Sequence, residues 1–491
     1  METWQDKIPP EVLNVTGRLE SAGFEAYIVG GCIRDLLLGR KPKDWDVTTN
    51  AAPKQIQELF ENTFYTNEFG TVGVVNEESS EESLKVIEVT PYRTEGKYSD
   101  ARRPDSVEWA KSIEEDLKRR DFTINAFAYR PKTEELLDRF GGAKDLSKGI
   151  IRAVGEPKER FSEDALRILR AVRIAAELDF SIEKETEAAM ADNAGLLEKI
   201  SKERIRDEFI RILNSQKPMK ALAFSQGHGI LSFIIPELEE GMGVEQNQAH
   251  KYTVIEHNLR ALQHAADKKW PFEVRLAALL HDIGKPRARR WSAEKNDWTF
   301  HGHDVIGAKI TKKILGELHF SREMVAGVEK LVRWHMFFSD PDKITLSGVR
   351  RLIRNVGPEN IENLVKLRKC DRIGTGRPKE QPFRLRKYQS MIEQALRDPI
   401  SVTMLEIDGG RIMELSREKP GPRIGWVLHA LLEEVLDDPA KNTKEYLENK
   451  VEELAQLKDE ELKDLGNEGK ERKAKKEEEN LEEIRKKYFV D

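Results

Sequence analysis

The sequence predicts an α+β domain over roughly its first 150 residues, followed by a chain that is helical to its end. Three observations predict this. Strand-like runs (EAYIVG, GTVGVV, LKVIEVTPYR, NAFAYR) mix with helical ones (EVLNVTGRLESAG, PKQIQELF) as far as Arg130, switching between a period of 2 and one of 3.6. After Asp138-Arg-Phe-Gly-Gly the strand signal almost disappears. From Ile150 onward apolar residues recur at helical spacing, as in SEDALRILRAVRIAAEL and SKERIRDEFIRILNS, each opened by a serine able to cap a helix. At 491 residues and 56.4 kDa the chain exceeds one ordinary core. Four segments are expected: a head over 1–148, a helical neck over 149–240, a histidine-bearing domain over 241–376 and a helical tail over 377–491.

In the head, the apolar strand Tyr27-Ile-Val runs into Gly30-Gly31. Glycine lets a ligand approach the main chain, leaving backbone N–H groups free for phosphate oxygens. Arg34 follows Gly31 by one helical turn, where its planar fork suits a triphosphate or, alternatively, a salt bridge to the adjacent acid. Asp35 reads as structural, orienting the turn. On a second strand Asp44 and Asp46, two residues apart, project from one face while Trp45 enters the core. Paired carboxylates beside a phosphate cradle are what two-metal nucleotidyl transfer requires, because they hold the divalent ions at the attacking and leaving oxygens. Glu88, in LKVIEVTPYR, is either a third acid of this group or a cross-strand partner. The long polar stretch TPYRTEGKYSDARRPDSVEWAK has the character of a functional lid.

In the neck, Asp164, Arg167, Arg170 and Arg173 recur every third residue, which predicts one slowly rotating stripe on a single helix. A carboxylate can accept from the exocyclic amine of cytosine or adenine while a guanidinium donates to the neighbouring ring nitrogen. Uracil and guanine present a carbonyl oxygen there instead, and the unpaired contact costs about 1–3 kcal/mol. The competing reading is an exposed i,i+3 salt bridge.

Between Glu245 and Gly376 come QNQAHKYTVIEHNLRAL, LAALLHDIGKPRA, FHGHDVIGAK, VRWHM and KLRKCDRIG, which hold most of the ten histidines. A His-Asp doublet with a second histidine upstream and an aspartate far downstream supplies imidazole and carboxylate ligands for one or two divalent transition metals. The Lys/Glu-rich end reads as a solvated mixed-charge helix or a frayed tail. The net charge of -6 argues against a chain basic all over, though a local basic stripe suffices for RNA. No apolar stretch approaches the roughly 20 residues of a membrane span, and the N-terminus lacks a signal-peptide core, so a cytoplasmic protein without a membrane partner is expected. Cys32 and Cys370 have no metal-type spacing and read as ordinary thiols.

The run GGCIRDLLLG…KDWDVTT resembles the first motif of the class II tRNA nucleotidyltransferase and poly(A) polymerase family, whose head is polymerase-β-like. The likeness runs from about Ser21 to Leu213. By that resemblance Gly31 and Arg34 bind nucleotide. Arg119-Arg-Asp-Phe-Thr-Ile-Asn is similar to the second motif, carrying over Arg120, with Asp121 and Asn125. Glu163-Asp-Ala-Leu-Arg matches the family's EDxxR, which makes Asp164 and Arg167 the base readers and Arg170 and Arg173 triphosphate contacts. Phe140-Gly-Gly-Ala-Lys-Asp-Leu resembles the hinge between head and neck, Glu203-Arg-Ile-Arg-Asp-Glu the last neck motif, and LEIDGGRIMELSREKPGPRIGWVLHALLEEV the tail of bacterial members. HDIGKP resembles the HD metal-dependent phosphohydrolases, which implies His257, His281, Asp282 and Asp371 as core ligands, His303 and His335 as auxiliary ones, and His250 and His301 as weaker candidates. The implied activity is template-independent addition of C, C and A from CTP and ATP to a tRNA 3′ end, with Mg²⁺ on Asp44 and Asp46 and a possible second, phosphohydrolase activity. The alternatives are a poly(A) polymerase, an A-adding enzyme, or an HD-type phosphohydrolase with an RNA-binding head. The intact polar loop before RRDF speaks against a CC-only enzyme.

Overall fold

The computed structural model describes residues 5–66, 70–95, 107–110, 112–247, 251–337, 345–396 and 402–490. The chain forms two compact units, one of Met1–Arg333 with Lys366–Arg377, the other of Trp334–Val365 with Pro378–Asp491.

The first unit opens with strands β1 (Ala26–Val29), β2 (Asp46–Thr49), β3 (Thr63–Tyr65), β4 (Val72–Val75), β5 (Val86–Pro91), β6 (Arg93–Glu95), β7 (Val107–Trp109), β8 (Phe127–Arg130) and β9 (Glu135–Asp138). Seven of them make one sheet in the order β3-β4-β5-β2-β1-β8-β9, and β6 pairs with β7 apart from it. Alternation of side chains along each strand gives the sheet two covered faces. Ile28, Trp45, Val47, Ile87, Val89 and Phe127 pack with Val12, Leu19, Ile33 and Ile56 from the flanking helices. Tyr27, Val29 and Ala128 pack on the other side with Tyr92, Ile113 and Leu117. The register aligns Val29 with Asp46 and Asp46 with Glu88, so the acids follow the second face while Trp45, 3% exposed, enters the first core.

Beyond β9 the secondary structure among the described residues of the unit is helical except for two short ribbons that apolar periodicity does not reveal. These are β10 (Ile150–Ile151) paired in parallel with β11 (Ser181–Ile182), and the hairpin β12 (Arg290–Ser292) with β13 (Asp297–Thr299). The neck stripe is not one helix. Helix Pro157–Glu163 ends at Asp164, whose backbone is extended (φ -137°, ψ 102°), and a new helix runs over Leu166–Leu178. Asp164 lies outside both because its Oδ1 accepts the Leu166 N–H at 3.1 Å, acting as a cap rather than an interior residue.

In the second unit Leu405, Ile412, Val427, Leu431, Leu447, Val451 and Leu462 form a core. The charged end is helical over Asp459–Tyr488. Gly466 lies against the helix Pro422–Asp437 so closely that a Cβ there would stand 2.8 Å from the Cα of Trp426, which explains a glycine inside a long helix. Among the described residues no helix is long and apolar enough to cross a membrane.

Candidate functional site

The turn after β1 is built on Gly30, whose φ of +84° suits glycine alone. A Cβ there would stand 3.0 Å from Nη1 of Arg120 and 3.5 Å from Oδ2 of Asp46. Backbone, guanidinium and carboxylate therefore face one small space. The buried Nε of Arg120 has no hydrogen-bond partner among the described residues, and its Nη2 makes only a 3.4 Å contact to Asp116. A buried donor without an acceptor is costly in the empty protein and is satisfied by an anionic ligand. The carboxyl of Asp46 is pushed up to about 7 by burial and by Asp44 and Glu88, with Arg120 opposing. Burial and Asp44 also raise Glu88. Asp44 itself sits in the exposed bend just before β2 rather than on the strand. The set is all oxygen and self-repelling without a cation, which fits a hard divalent ion such as Mg²⁺. Cys32, buried behind the turn, donates its S–H to the Val29 carbonyl at 3.1 Å, and burial followed by Asp46 pushes its thiol up to about 12.

Arg34 forms the salt bridge to the adjacent acid and still stands beside the glycine turn. Its Nη1 donates to Asn125 at 2.7 Å, while Nε and Nη2 grip Asp35 at 2.9 and 2.8 Å, leaving it beside Gly31. Asp121 is the hub between head and neck. It accepts from Asn125 at 3.1 Å and from Nε and Nη2 of Arg170 at 2.8 and 2.6 Å. Burial alone would raise its carboxyl, but Arg170, Asn125 and Arg167 hold it far below the usual range.

On the neck side, Arg167 is 7% exposed; it donates to Glu163 at 2.7 Å and to the Arg119 carbonyl at 2.9 Å, so Glu163 rather than Asp164 is its ion-pair partner. Asp164 receives Arg204 at 2.8 Å. Arg173, expected at the triphosphate, is buried between Glu208 at 2.5 Å and Glu177 at 3.0 Å. Sequence reasoning named the segment Glu203–Glu208 as a motif but not the work of Arg204 and Glu208, which tie it to Asp164 and Arg173. Their i,i+4 spacing on a helix of strong apolar face was the available signal.

The second cluster brings together residues 114 positions apart in the chain. Nε2 of His257 lies 2.9 Å from Nε2 of His281, 3.1 Å from Oδ2 of Asp282 and 3.5 Å from Oδ1 of Asp371. His281 is 3.4 and 3.8 Å from the same two carboxylates. Such edges are those of ligands around one cation at about 2.0–2.2 Å, and two imidazoles with two carboxylates suit a transition metal. The Ala278 carbonyl faces Nδ1 of His281 at 2.9 Å, which orients the ring. Lys285 reaches Asp282 at 2.6 Å and Arg368 reaches Asp371 at 2.6 Å. Against burial, these cations and the histidines keep both carboxyls well below their ordinary value. Burial lowers His257. In His281 burial is outweighed by Asp282 and Asp371, which raise it. His303 stands 3.3 Å from the outer oxygen of Asp282. His335 is buried in the second unit and His301 is exposed. His250 and most of the expected lid, residues 96–106, lie outside the described residues.

A strand-turn-helix cradle with an acid-bearing neighbour strand and a helical partner is the layout of a nucleotidyltransferase-type head, and similarity to known proteins points the same way. Residues 26–152 match the poly A polymerase head domain, 179–242 the probable RNA and SrmB-binding site of polymerase A, and 254–375 the HD domain. The chain is 34% identical over 438 residues to the CCA-adding enzyme of Lactobacillus delbrueckii subsp. bulgaricus, covering 88% of this chain and 95% of that one. With the CCA-adding enzyme of Leuconostoc mesenteroides it shares 40% over 272 residues, 54% of this chain and 66% of the relative. Against several curated relatives the matched stretch spans from about half to just under two thirds of the relative's length. The crystal structure of the Bacillus stearothermophilus CCA-adding enzyme in complex with CTP aligns with a TM-score of 0.58 at 27% identity, covering 91% of this chain and 98% of that one. The chain belongs to the CCA-adding enzyme family.

Proposed function

We propose that this chain completes tRNA 3′ ends by adding C, C and A from CTP and ATP without a nucleic-acid template. The observation that carries this reading is the space at Gly30, where the guanidinium of Arg120, with a buried Nε that has no acceptor among the described residues, faces a carboxylate with a raised pKa. The terminal hydroxyl of the tRNA attacks the α-phosphate and pyrophosphate departs. Arg120 and the Gly30-Gly31 backbone bind the phosphates, and Arg34 orients Asn125 and the turn while remaining within reach of them. Asp44 and Asp46, with Glu88 behind them, would hold Mg²⁺, which when bound eases loss of the hydroxyl proton and neutralises the leaving group.

Asp164 accepts two hydrogen bonds of the roughly four that a carboxylate takes. Its remaining capacity reads the exocyclic amine of cytosine or adenine, with Arg167 as the neighbouring donor. Arg170 and Arg173 act as positioning residues, the first through Asp121 and the second through Glu208. His257, His281, Asp282 and Asp371 would hold a divalent transition metal, which when bound would supply the Lewis-acid chemistry of a phosphohydrolase. The segments 1–148, 149–240, 241–376 and 377–491 serve as head, neck, HD domain and tRNA-binding tail, and a reaction on tRNA belongs to the cytoplasm.

The test uses tRNA transcripts lacking three, two or one terminal nucleotides, given CTP and ATP separately and together. Ordered addition that stops after A supports the reading. Unlimited A addition identifies a poly(A) polymerase, A addition only to transcripts ending in CC identifies an A-adding enzyme, and phosphate release without incorporation identifies a hydrolase.

A further inference from the structure

The hairpin β12–β13 is inserted between the His281-Asp282 doublet and His303, and the residues that flank it are joined to both. Lys285, which contacts Asp282, also lies 5.7 Å over the ring of Phe300. The Phe300 carbonyl in turn faces Nδ1 of His303 at 2.7 Å. The hairpin register pairs Trp291 with Trp298, and their rings meet edge to face at 5.2 Å. Arg289, two residues before Trp291 and hence on the same face, stacks its guanidinium 3.7 Å from the ring centre of Trp298. The Nε of Arg289 is buried with no hydrogen-bond partner among the described residues. Cross-strand aromatic pairing explains two tryptophans on a short hairpin, but Trp291 remains 53% exposed. Segment 285–299 carries five Lys or Arg against two acids; Lys285 pairs with Asp282 and Arg287 with Glu240, which leaves Arg289, Arg290 and Lys295 beside the indoles.

We propose that this hairpin is a stacking platform for an unpaired base at an RNA end, holding the strand whose phosphate enters the HD centre. An open indole takes the base face, and the exposed Arg290 and Lys295 take the backbone. Aromatic stacking combined with a local cationic surface is how single strands are gripped without sequence readout. The inference rests on the reading of the chain as an RNA-end enzyme and adds a second RNA contact to it.

The test is photo-crosslinking of full-length protein with a short single-stranded RNA carrying 5-iodouracil near its 3′ end, or with a blunt RNA duplex bearing the same label, read by peptide mass spectrometry. The expected result is an adduct on Trp291 from the single strand and none from the duplex. With excess unlabelled duplex occupying the phosphate-binding surfaces, Trp291→Ala weakens single-strand binding about tenfold, Trp291→Phe largely preserves it, and both variants still incorporate CTP. Adducts confined to peptides around Arg120, equal labelling by the duplex, or displacement of the RNA by a polyglutamate peptide that binds more tightly would each overturn the proposal. Labelling of Trp291 in a protein that incorporates no nucleotide would leave the platform standing and remove the nucleotidyltransferase reading instead.

Discussion

Asp46→Asn stabilises the metal-free head above neutral pH while ending nucleotide incorporation, so one substitution separates the electrostatic cost of the site from its chemistry. The Asp46 carboxyl rises from its ordinary 3.8 to about 7. At about 1.36 kcal/mol per pH unit, that rise corresponds to a ceiling of about 4 kcal/mol. Asp46 keeps partial solvent access, which reduces the expected effect to about 2 kcal/mol. The sign follows from linkage: a carboxyl that binds its proton more tightly in the fold contributes full stability below pH 3.8, and that contribution is lost as pH rises through about 7. Asparagine mimics the protonated form at every pH, so its advantage is absent near pH 4 and complete near pH 8. Hydrogen exchange of the β2 amides Val47 to Thr49 in EDTA, corrected for intrinsic rates, measures it locally. Magnesium should restore protection at pH 8 in the natural sequence and have little effect on the variant. Equal protection of both proteins at pH 8, or an advantage for asparagine at pH 4, would refute the proposed acid cluster.

Further predictions concern the neck and the HD centre. Arg204→Ala, which frees Asp164 from its 2.8 Å partner, should lower discrimination of CTP and ATP against UTP and GTP by about tenfold, with tRNA affinity unchanged; intact fidelity would remove Asp164 from base recognition. Asp121→Asn should destabilise the first unit by about 2–3 kcal/mol because Arg170 loses its carboxylate partner, read as a lower unfolding midpoint in urea. His281→Ala should abolish stoichiometric transition-metal content by elemental analysis and leave CTP incorporation intact, and metal retained at full occupancy would contradict the assigned ligand set.

The glycine turn and the acids around Trp45 were legible because each depends on local chemistry, and the four residues that the resemblance of HDIGKP implied as ligands, His257, His281, Asp282 and Asp371, lie together in the fold. Glu88 was legible only as one of two alternatives, a third acid beside Asp46 or a cross-strand partner, since its facing is fixed by register between strands, which a lone sequence does not state. The neck was misjudged for a specific reason: SEDALRILRAVR has unbroken helical periodicity, yet the cap formed by Asp164 wins locally over continuing the helix. The partners of Arg167, Arg170 and Arg173 were equally hidden. Arginines at i+3 spacing share a stripe, but which carboxylate each one takes depends on Asp121 and Glu208 from distant segments. The hairpin at Trp291 escaped because three-residue strands are too short for a period-2 pattern to register.

The link between Arg170 and Asp121, reinforced by Arg167 on the Arg119 carbonyl, ties the helix after Asp164 to the segment that carries Arg120. On the proposed reading this strut acts as a gauge, setting the distance from the phosphate-binding turn to the base-reading carboxylate, and an allele that loosens it would blur the choice of base before it slowed the chemistry.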